Sequence, residues 1–451
     1  MIAVVIALAI AFAVPPSAVA AGQLTQRVWL LQGVPSGPTL AALRAGGVDG
    51  LVLPVGAVAV EGKSCRLTLT PLPGLEPLSG WDLTPLVWVS GSGDSSGDAE
   101  TFLDELAPVE RLLHGKGPMV VAALADWPGL IPFAEAVARR RGAPVEVLLA
   151  APALVRLARA GMASNVKLLA VALGNPSALG FPATTPADDL AALEELDETG
   201  VEYRVAVVVL PRAAPPPGAG GASLAALASP LAAEFRPAER GDAFVLRQRL
   251  DWGGSWLQPG DTVQVEVVDT ARLHRDLGQL LRRVRPRLGG WDLVGLPSRE
   301  PALGLSLEAF LDYLEGGMPF PAPRVQPEWA TPTRLRLALA NPTPHASAVA
   351  TTGNFIELRF GGTQMLDVLL GDFSGTDYGR VEQGAWRRAV ARDANALRLY
   401  LTYLPPSSRL AGAAVTFFGR PSEVQVRWVL RLSDGSEIAG DLETAAPIRK
   451  P

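Results

Sequence analysis

Cysteine and histidine are nearly absent from this chain. Cys65 is the only cysteine in 451 residues, so no intrachain disulfide can form and packing must stabilise the fold. Cys65 alternates with Leu67 and Leu69 in the segment CRLTLT, which predicts a buried cysteine on a strand. Because only three histidines occur, we expect neither a histidine-based metal site nor a catalytic triad. No metal and no cofactor is predicted.

The strong catalytic motifs are missing too. The chain has no phosphate-binding loop and no HExxH helix. Its formal net charge of −5 is small for this length and argues against a nucleic-acid partner. Hydrophobic residues make up 48% of the chain and charged residues 19%, with a mean hydropathy of +0.23. This composition predicts a globular protein with a large core.

The first 20 residues are uncharged and apolar, and they end in Ala18-Val19-Ala20, a pattern that signal peptidases recognise. We therefore expect residues 1–20 to be a signal peptide and the protein to be exported, to the periplasm or the extracellular space. No positive residues open the segment, which leaves two alternatives, a true start that lies upstream or a retained N-terminal anchor. The apolar part before Pro15 is about 14 residues long, while a membrane span needs about 20. No stable span is expected once the segment is cleaved.

Residues 21–318 are predicted to form an α/β fold, a (β/α)8 TIM-like barrel. Eight near-continuous apolar runs, most of them followed by helical periodicity, are typical of strands buried on both faces of a parallel sheet. The predicted strands are RVWLLQGVP, VDGLVLPVG, LTPLVWVSGSG, PMVVAALADW, PVEVLLA, VKLLAVALGNP, EYRVAVVVLPR and GWDLVGLP. After the seventh strand, Pro259-Gly260 suits a type II turn, and Asp269 or Thr270 can cap the next helix.

Composition changes mark an insertion, a linker and a second domain. Residues 213–243 are rich in Ala, Pro, Gly and Ser, and we interpret them as an insertion loop. Residues 319–333 hold five prolines and predict a linker with neither a helix nor a central strand. From residue 334 to 451, apolar and polar residues alternate between turns. This alternation predicts an antiparallel β-sandwich with one solvated face per sheet.

Polar and aromatic residues at the predicted strand ends are the candidate site, because active sites of such barrels lie at the carboxyl ends of the strands. Asp126 and Glu300 could form the carboxylate pair that glycoside hydrolysis needs, although each could also be a helix cap or an ion-pair partner. Residues expected to shape a substrate pocket are Trp127, Asn175, Arg212, Arg299 and, in the excursion between strands seven and eight, Trp252. Trp252 and its neighbour Trp256 could equally stabilise a hairpin.

The order RVWLLQG, LVWVSG, VVAALADW, EYRVAVVVLP and WDLVGLP resembles a family of exported bacterial proteins of unknown function that is related to glycosidase-type (β/α)8 barrels. The resemblance covers about residues 27 to 315. It implies a barrel whose fourth strand ends in a paired-acid motif, and here only Asp126 matches, with Leu124 and Ala125 before it. The resemblance therefore leaves open a barrel that binds a saccharide without cleaving it.

Three functional hypotheses follow. In the first, the protein binds or hydrolyses an envelope or extracellular carbohydrate at the barrel. In the second, it is a non-enzymatic envelope scaffold whose sandwich docks a partner. In the third, the sandwich binds the sugar, and its conspicuous aromatic residues are Tyr378, Trp386 and Tyr403, although burial in the sandwich core is the more frequent use of such residues. A polysaccharide or another envelope component is the expected partner in each case.

Overall fold

The computed structural model of the chain describes most residues from Leu24 to Thr444. The described ranges are 24–31, 33–61, 64–71, 75–92, 99–113, 117–123, 127–161, 165–181, 184–210, 212–214, 235–237, 243–252, 255–266, 268–283, 285–296, 305–348, 350 and 353–444.

The N-terminal unit alternates strands and helices. Its strands are β1 Thr25–Trp29, β2 Gly50–Glu61, β3 Ser64–Leu69, β4 Asp82–Ser92, β5 Met119–Ala123, β6 Val145–Ala150, β7 Val166–Gly174, β8 Tyr203–Val208, β9 Arg212–Ala214, β10 Phe235–Pro237, β11 Ala243–Leu246, β12 Leu250–Trp252, β13 Ser255–Leu257, β14 Thr262–Glu266 and β15 Leu288–Val294. Its helices are α1 Gly37–Ala45, α2 Ala99–Leu112, α3 Leu130–Arg141, α4 Ala151–Ala160, α5 Pro186–Thr199, α6 Thr270–Leu281 and α7 Leu307–Leu314, with short 3₁₀ helices at Glu76–Leu78 and Pro176–Leu179.

Eight parallel strands close into a barrel in the order β1, β2, β4, β5, β6, β7, β8 and β15. The closure is made by β1, which pairs with β2 on one side and with β15 on the other. The predicted barrel is thereby confirmed. One apolar cluster fills the barrel interior and a second lies between the strands and the helices, which explains why the strand sequences are apolar on both faces. Within the described residues, none of the helices combines the length and the apolar character needed to cross a membrane.

The barrel carries two additional elements, the strand β3 and a small antiparallel sheet. Strand β3 pairs antiparallel with β2 and buries Cys65, as the alternation in the sequence predicted. Between β8 and α6, strands β10, β11, β14 and β9 form a small antiparallel sheet, so the ends of the predicted insertion loop are strands. Gly260 has a φ of +97°, and the N–H of Asp261 bonds to the carbonyl of Gln258, which confirms the type II turn.

The C-terminal unit is built from two antiparallel sheets. Its strands are β16 Arg324–Thr331, β17 Arg334–Asn341, β18 Phe355–Gly361, β19 Met365–Leu369, β20 Gly375–Glu382, β21 Ala385–Arg388, β22 Ala396–Tyr400, β23 Ser408–Phe417, β24 Glu423–Arg431 and β25 Glu437–Thr444, with a 3₁₀ helix at Ala391–Asp393. The four-stranded sheet β16-β17-β23-β19 packs on the six-stranded sheet β21-β20-β22-β18-β24-β25 around one core, which makes the predicted sandwich. Strand β16 lies within the predicted linker, but at a sheet edge, where proline is tolerated.

Buried polar side chains join the barrel to the sandwich. The ring of His345, 2% exposed, lies between two barrel helices: its Nδ1 is 3.0 Å from Oγ1 of Thr270 and its Nε2 is 2.8 Å from Oδ2 of Asp312. Asp269 caps α6 by accepting from the N–H of Arg272, as predicted, and it also accepts a hydrogen bond from the hydroxyl of Ser433 in the sandwich. The sandwich therefore supplies hydrogen-bond partners to the two residues at the amino-terminal end of α6.

Replacing Asp269 with Asn should make folding stability less dependent on pH. Burial raises the pKa of Asp269 above its ordinary 3.8, against the opposing effect of the Ser433 and Arg272 hydrogen bonds. The stability that Asp269 contributes is then fully present below about pH 3.8 and falls as pH rises through the raised pKa. Asn caps a helix about as well as Asp. In urea denaturation, the free energy of unfolding of the variant relative to that of the wild type should increase from pH 4 to pH 8. A relative decrease over this range would contradict the burial argument.

Candidate functional site

The mouth of the barrel, at the carboxyl ends of its strands, is apolar in the part that the structure describes. The cluster inside the barrel reaches this end through Leu31, Trp88, Ala150, Leu179, Phe181 and Leu210. Trp88 and Ala150 lie on strands, Leu31 and Leu210 follow β1 and β8, and the segment after β7 contributes Leu179 and Phe181. Ligand pockets in proteins are mostly lined by such apolar and aromatic side chains, with a few polar groups for orientation.

Trp88 is a partly exposed aromatic side chain at the mouth. It follows Leu86 on β4 by two residues, so both project towards the barrel interior. Its ring meets the ring of Trp29 edge-on, with 6.4 Å between the centroids. Trp29 is fully buried, whereas Trp88 keeps part of its surface exposed. Sequence reasoning assigned no role to Trp88, although its place near the end of an apolar barrel strand was a usable signal.

The end of β7 carries a strained turn that covers part of the mouth. Leu173 and Gly174 both have positive φ, +68° and +67°, and a left-handed conformation costs a non-glycine residue about 1–2 kcal/mol. Two buried carboxylates offset this cost: Asp189 accepts from the N–H of Leu173 at 2.8 Å, and Asp276 accepts from the N–H of Gly174 at 3.1 Å. The turn directs the chain into the 3₁₀ helix Pro176–Leu179, which adds Leu179 to the apolar cluster.

Asn175, a predicted pocket residue, lies under this turn. Its Nδ2 donates to the carbonyl of Leu210 at 3.2 Å, and its Oδ1 accepts from the hydroxyl of Ser177 at 2.7 Å. The residue is buried. Its amide therefore connects the segments that follow the neighbouring strands β7 and β8.

Trp127, predicted to shape the pocket, comes four residues after the end of β5 and packs outside the barrel interior. Its ring is 5.9 Å from that of Phe133 on α3, and both belong to the cluster between strands and helices. Gly91 at the end of β4 makes room for it, because a Cβ there would lie 2.4 Å from the indole ring. In this conformation the indole is a core residue that fixes the end of β5.

The remaining predicted site residues stay predictions. Arg212 and Trp252 lie on the short strands β9 and β12, and only their backbone is described. Asp126, Arg299 and Glu300 fall outside the described residues, so the separation of the two carboxyl groups is untested. Of the seven candidates, the structure thus gives side-chain positions for Trp127 and Asn175, which lie in different layers of the barrel.

At the opposite, amino-terminal end, the barrel interior holds a buried ionic network that sequence reasoning missed. Arg27 on β1 donates to Asp292 on β15 through Nε at 3.0 Å and Nη2 at 2.7 Å, and to Glu146 on β6 at 2.5 Å. Arg204 on β8 donates to the same Asp292 at 2.7 Å. The indole N–H of Trp29 also bonds to Asp292, at 2.9 Å, and so links the ionic layer to the apolar layer above it.

Electrostatics keep this network ionised. Burial alone would raise the pKa of Asp292, but the positive charges of Arg27 and Arg204 outweigh it and hold that pKa below its ordinary value. Burial would likewise lower the pKa of Arg27, but the two carboxylates raise it well above its usual range. Because catalytic groups of such barrels lie at the other end, this network is a stability element.

No group of three or more potential ligands is placed to hold a metal ion in the described part of the chain. The chemistry that the described mouth supports is thus apolar contact with a ligand, aided by the indole of Trp88. General acid–base chemistry would have to come from residues outside the described part of the chain, such as Asp126 and Glu300.

Comparisons with known proteins add a structural likeness. No family model matches the chain, and the search of curated proteins gives no match. Among solved structures, the chain is similar to the crystal structure of the spore cortex-lytic enzyme SleL of Bacillus megaterium QM B1551. The likeness has a TM-score of 0.34 and 14% sequence identity, and it covers 60% of this chain and 70% of that one. At this level the likeness decides nothing about function, and the barrel itself rests on the closed strand order.

Proposed function

We propose that this protein is an exported, glycosidase-type barrel protein that binds an envelope or extracellular carbohydrate at the barrel mouth without cleaving it. The observation that carries the proposal is the partly exposed indole of Trp88 in an apolar mouth. Indole faces pack well on the C–H surfaces of sugar rings. The described side chains at this mouth supply contact surface and, in Asn175, an amide that is already hydrogen-bonded.

Replacing Trp88 with Ala should weaken polysaccharide binding about tenfold, the usual effect of losing one aromatic contact. The measurement is binding of the full chain to a panel of purified peptidoglycan, chitin and a soluble glucan. Trp88→Phe keeps an aromatic ring and should restore most of the affinity, which separates lost stacking from a damaged barrel. Equal binding by Trp88→Ala and wild type would contradict the proposal.

Hydrolysis is the second candidate function. It is favoured by the order along the chain, in which Asp126 comes three residues after the fourth barrel strand and Glu300 comes six residues after the eighth. The test is release of reducing ends from the same panel. Release by the wild type that is lost in Asp126→Asn would replace the binding proposal with a hydrolase, because paired carboxylates supply the acid and the base or nucleophile. On the binding proposal, neither protein releases reducing ends and both bind equally.

A further inference from the structure

The outer face of the six-stranded sheet in the C-terminal unit carries a fixed arrangement of aromatic and charged side chains. One face of this sheet packs into the sandwich core, and the other presents Glu357 on β18, Arg398 on β22 and Asp377 on β20. Glu357 stands opposite Arg398, and Arg398 stands opposite Asp377. The three residues therefore form a row across neighbouring strands.

At the centre of this face, a buried carboxylate holds two arginines. The side chain of Glu357 is 2% exposed, and its two oxygens accept from different guanidinium groups. Oε1 accepts from Nε of Arg359 at 2.8 Å, and Oε2 accepts from Nε of Arg398 at 2.9 Å. Such charge-assisted bonds fix the planes of both guanidinium groups, so their outward N–H groups are held ready for a ligand.

Aromatic rings complete the arrangement. The guanidinium of Arg398 lies 4.1 Å from the ring centre of Trp386 and 4.3 Å from that of Phe355. Gly379 on β20 makes a notch for Trp386, because a Cβ there would lie 2.3 Å from the indole. Trp386 is only half-buried in this position. The face thus has an indole platform whose orientation is set before any ligand arrives.

A half-open cavity of about 150 Å³ adjoins this platform. Its lining residues are Arg359, Phe360, Val381, Asn395, Glu423 and Gln425. Arg359 belongs both to the cavity and to the pair of arginines around Glu357. The cavity can therefore take a small polar ring while the rest of a chain continues over Trp386.

The charges of this face balance among the residues whose side chains the structure describes. Its arginines are Arg359, Arg388, Arg398, Arg427 and Arg431, and its acids are Glu357, Asp377, Glu423, Glu437 and Asp441. Five positive charges against five negative ones leave no net charge there to attract an ionic polymer. Aromatic surface, fixed hydrogen-bond donors and zero net charge together match a neutral polyhydroxylated ligand.

We infer that this sheet face is a second binding surface, which takes a neutral saccharide chain with one ring in the cavity and another on Trp386. The inference rests on the proposed function for its class of ligand, but it places a separate site on the C-terminal unit. The sheet face and the barrel mouth can contact different parts of one saccharide chain. A polymer that reaches both sites is therefore bound more tightly than by either site alone.

The test is binding of the full-length protein to chitin and to a soluble neutral glucan. Trp386→Ala should lower the affinity about tenfold, and Gln425→Ala, at the exposed rim of the cavity, should lower it about threefold to tenfold without touching the sandwich core. Trp81→Ala is the matched control, because Trp81 also stacks on an arginine, Arg44 at 4.3 Å, but next to the amino-terminal end of a barrel strand. Unchanged binding by both Trp386→Ala and Gln425→Ala would overturn the inference.

The two proposals fail in different ways. Loss of binding in Trp88→Ala alone supports the barrel site and overturns the sheet surface, and loss in Trp386→Ala alone does the reverse. Absence of binding by the wild type to every polysaccharide would overturn both. Raising NaCl from 50 to 500 mM should change the affinity for chitin or the glucan less than twofold, and a steep fall would contradict binding through aromatic contact and hydrogen bonds to a neutral chain.

Discussion

The Arg27→Met variant is expected to lose about 3–5 kcal/mol of folding free energy, the cost of removing one partner from a buried ion pair. Arg27 is the described partner of Glu146, which is 4% exposed, and it makes two of the hydrogen bonds to Asp292. The variant leaves Glu146 buried beside an apolar side chain, and Asp292 with Arg204 alone as its charged partner. Urea denaturation at pH 7 measures the loss.

Two controls separate burial from charge. Arg140 pairs with Glu100 on the surface, with side chains about 60% exposed, so Arg140→Met should cost less than about 1 kcal/mol. The double variant Arg27→Met/Glu146→Leu also removes the buried carboxylate that Arg27→Met leaves unpaired, and it should recover part of the lost folding free energy. An equal loss in Arg27→Met and Arg140→Met would contradict the buried network as a main source of stability.

The same variant has a predictable dependence on pH. The folded pKa of Asp292 lies below its ordinary value of 3.8, so the contribution of the network is present above about pH 3.8 and is lost as pH falls through the folded pKa. The difference between wild type and Arg27→Met should therefore shrink in acid.

The Gly174→Ala variant should lose about 3 kcal/mol or more, because it combines backbone strain with a steric clash. Gly174 has a φ of +67°, and an added Cβ would lie 2.2 Å from the carbonyl oxygen of Val208 on the neighbouring strand. Backbone atoms of β7 and β8 would have to move apart at the mouth. Thermal denaturation measures the effect, and saccharide binding by Gly174→Ala should fall with it if the mouth is the site.

Gly278 on α6 provides the matched control for this substitution. It has no atom within 4 Å of an added Cβ, and it lies inside a helix. Gly278→Ala should therefore stabilise the protein by about 0.5–1 kcal/mol. Similar losses at both positions would show that the strained turn after β7 is not what makes Gly174 necessary.

The barrel could be predicted because each of its strands is a near-continuous apolar run and nearly every crossover contains a helix with one apolar face. Turns and helix caps were predictable as well. Pro259-Gly260 forms the predicted type II turn and Asp269 caps α6, because both features depend on residues adjacent in sequence. The strands β9 and β10 were missed, because three-residue strands in a low-complexity segment give no periodicity. Strand β16 was missed because its prolines suggested a linker, and pairing at a sheet edge tolerates them.

The buried network shows what sequence alone could not give. Arg27, Glu146 and Asp292 are far apart in the chain, and each looks like an isolated charge in an apolar strand. Only the closure of β1 on β15 brings Arg27 to Asp292, and only the interior layer adds Glu146 from across the barrel. Arg398, Trp386 and Glu357 on the sheet face depend likewise on strand order, which local patterns do not encode.

The junction around His345 limits how freely the two units can be recombined with other domains. A barrel joined to a different partner at residues 319–333 would keep Asp269, Thr270 and Asp312 but lose the ring and the hydroxyl that satisfy them. The new partner would have to supply equivalent groups at the same places. The barrel and its sandwich thus match each other at this junction, unlike domains that are joined only by a linker.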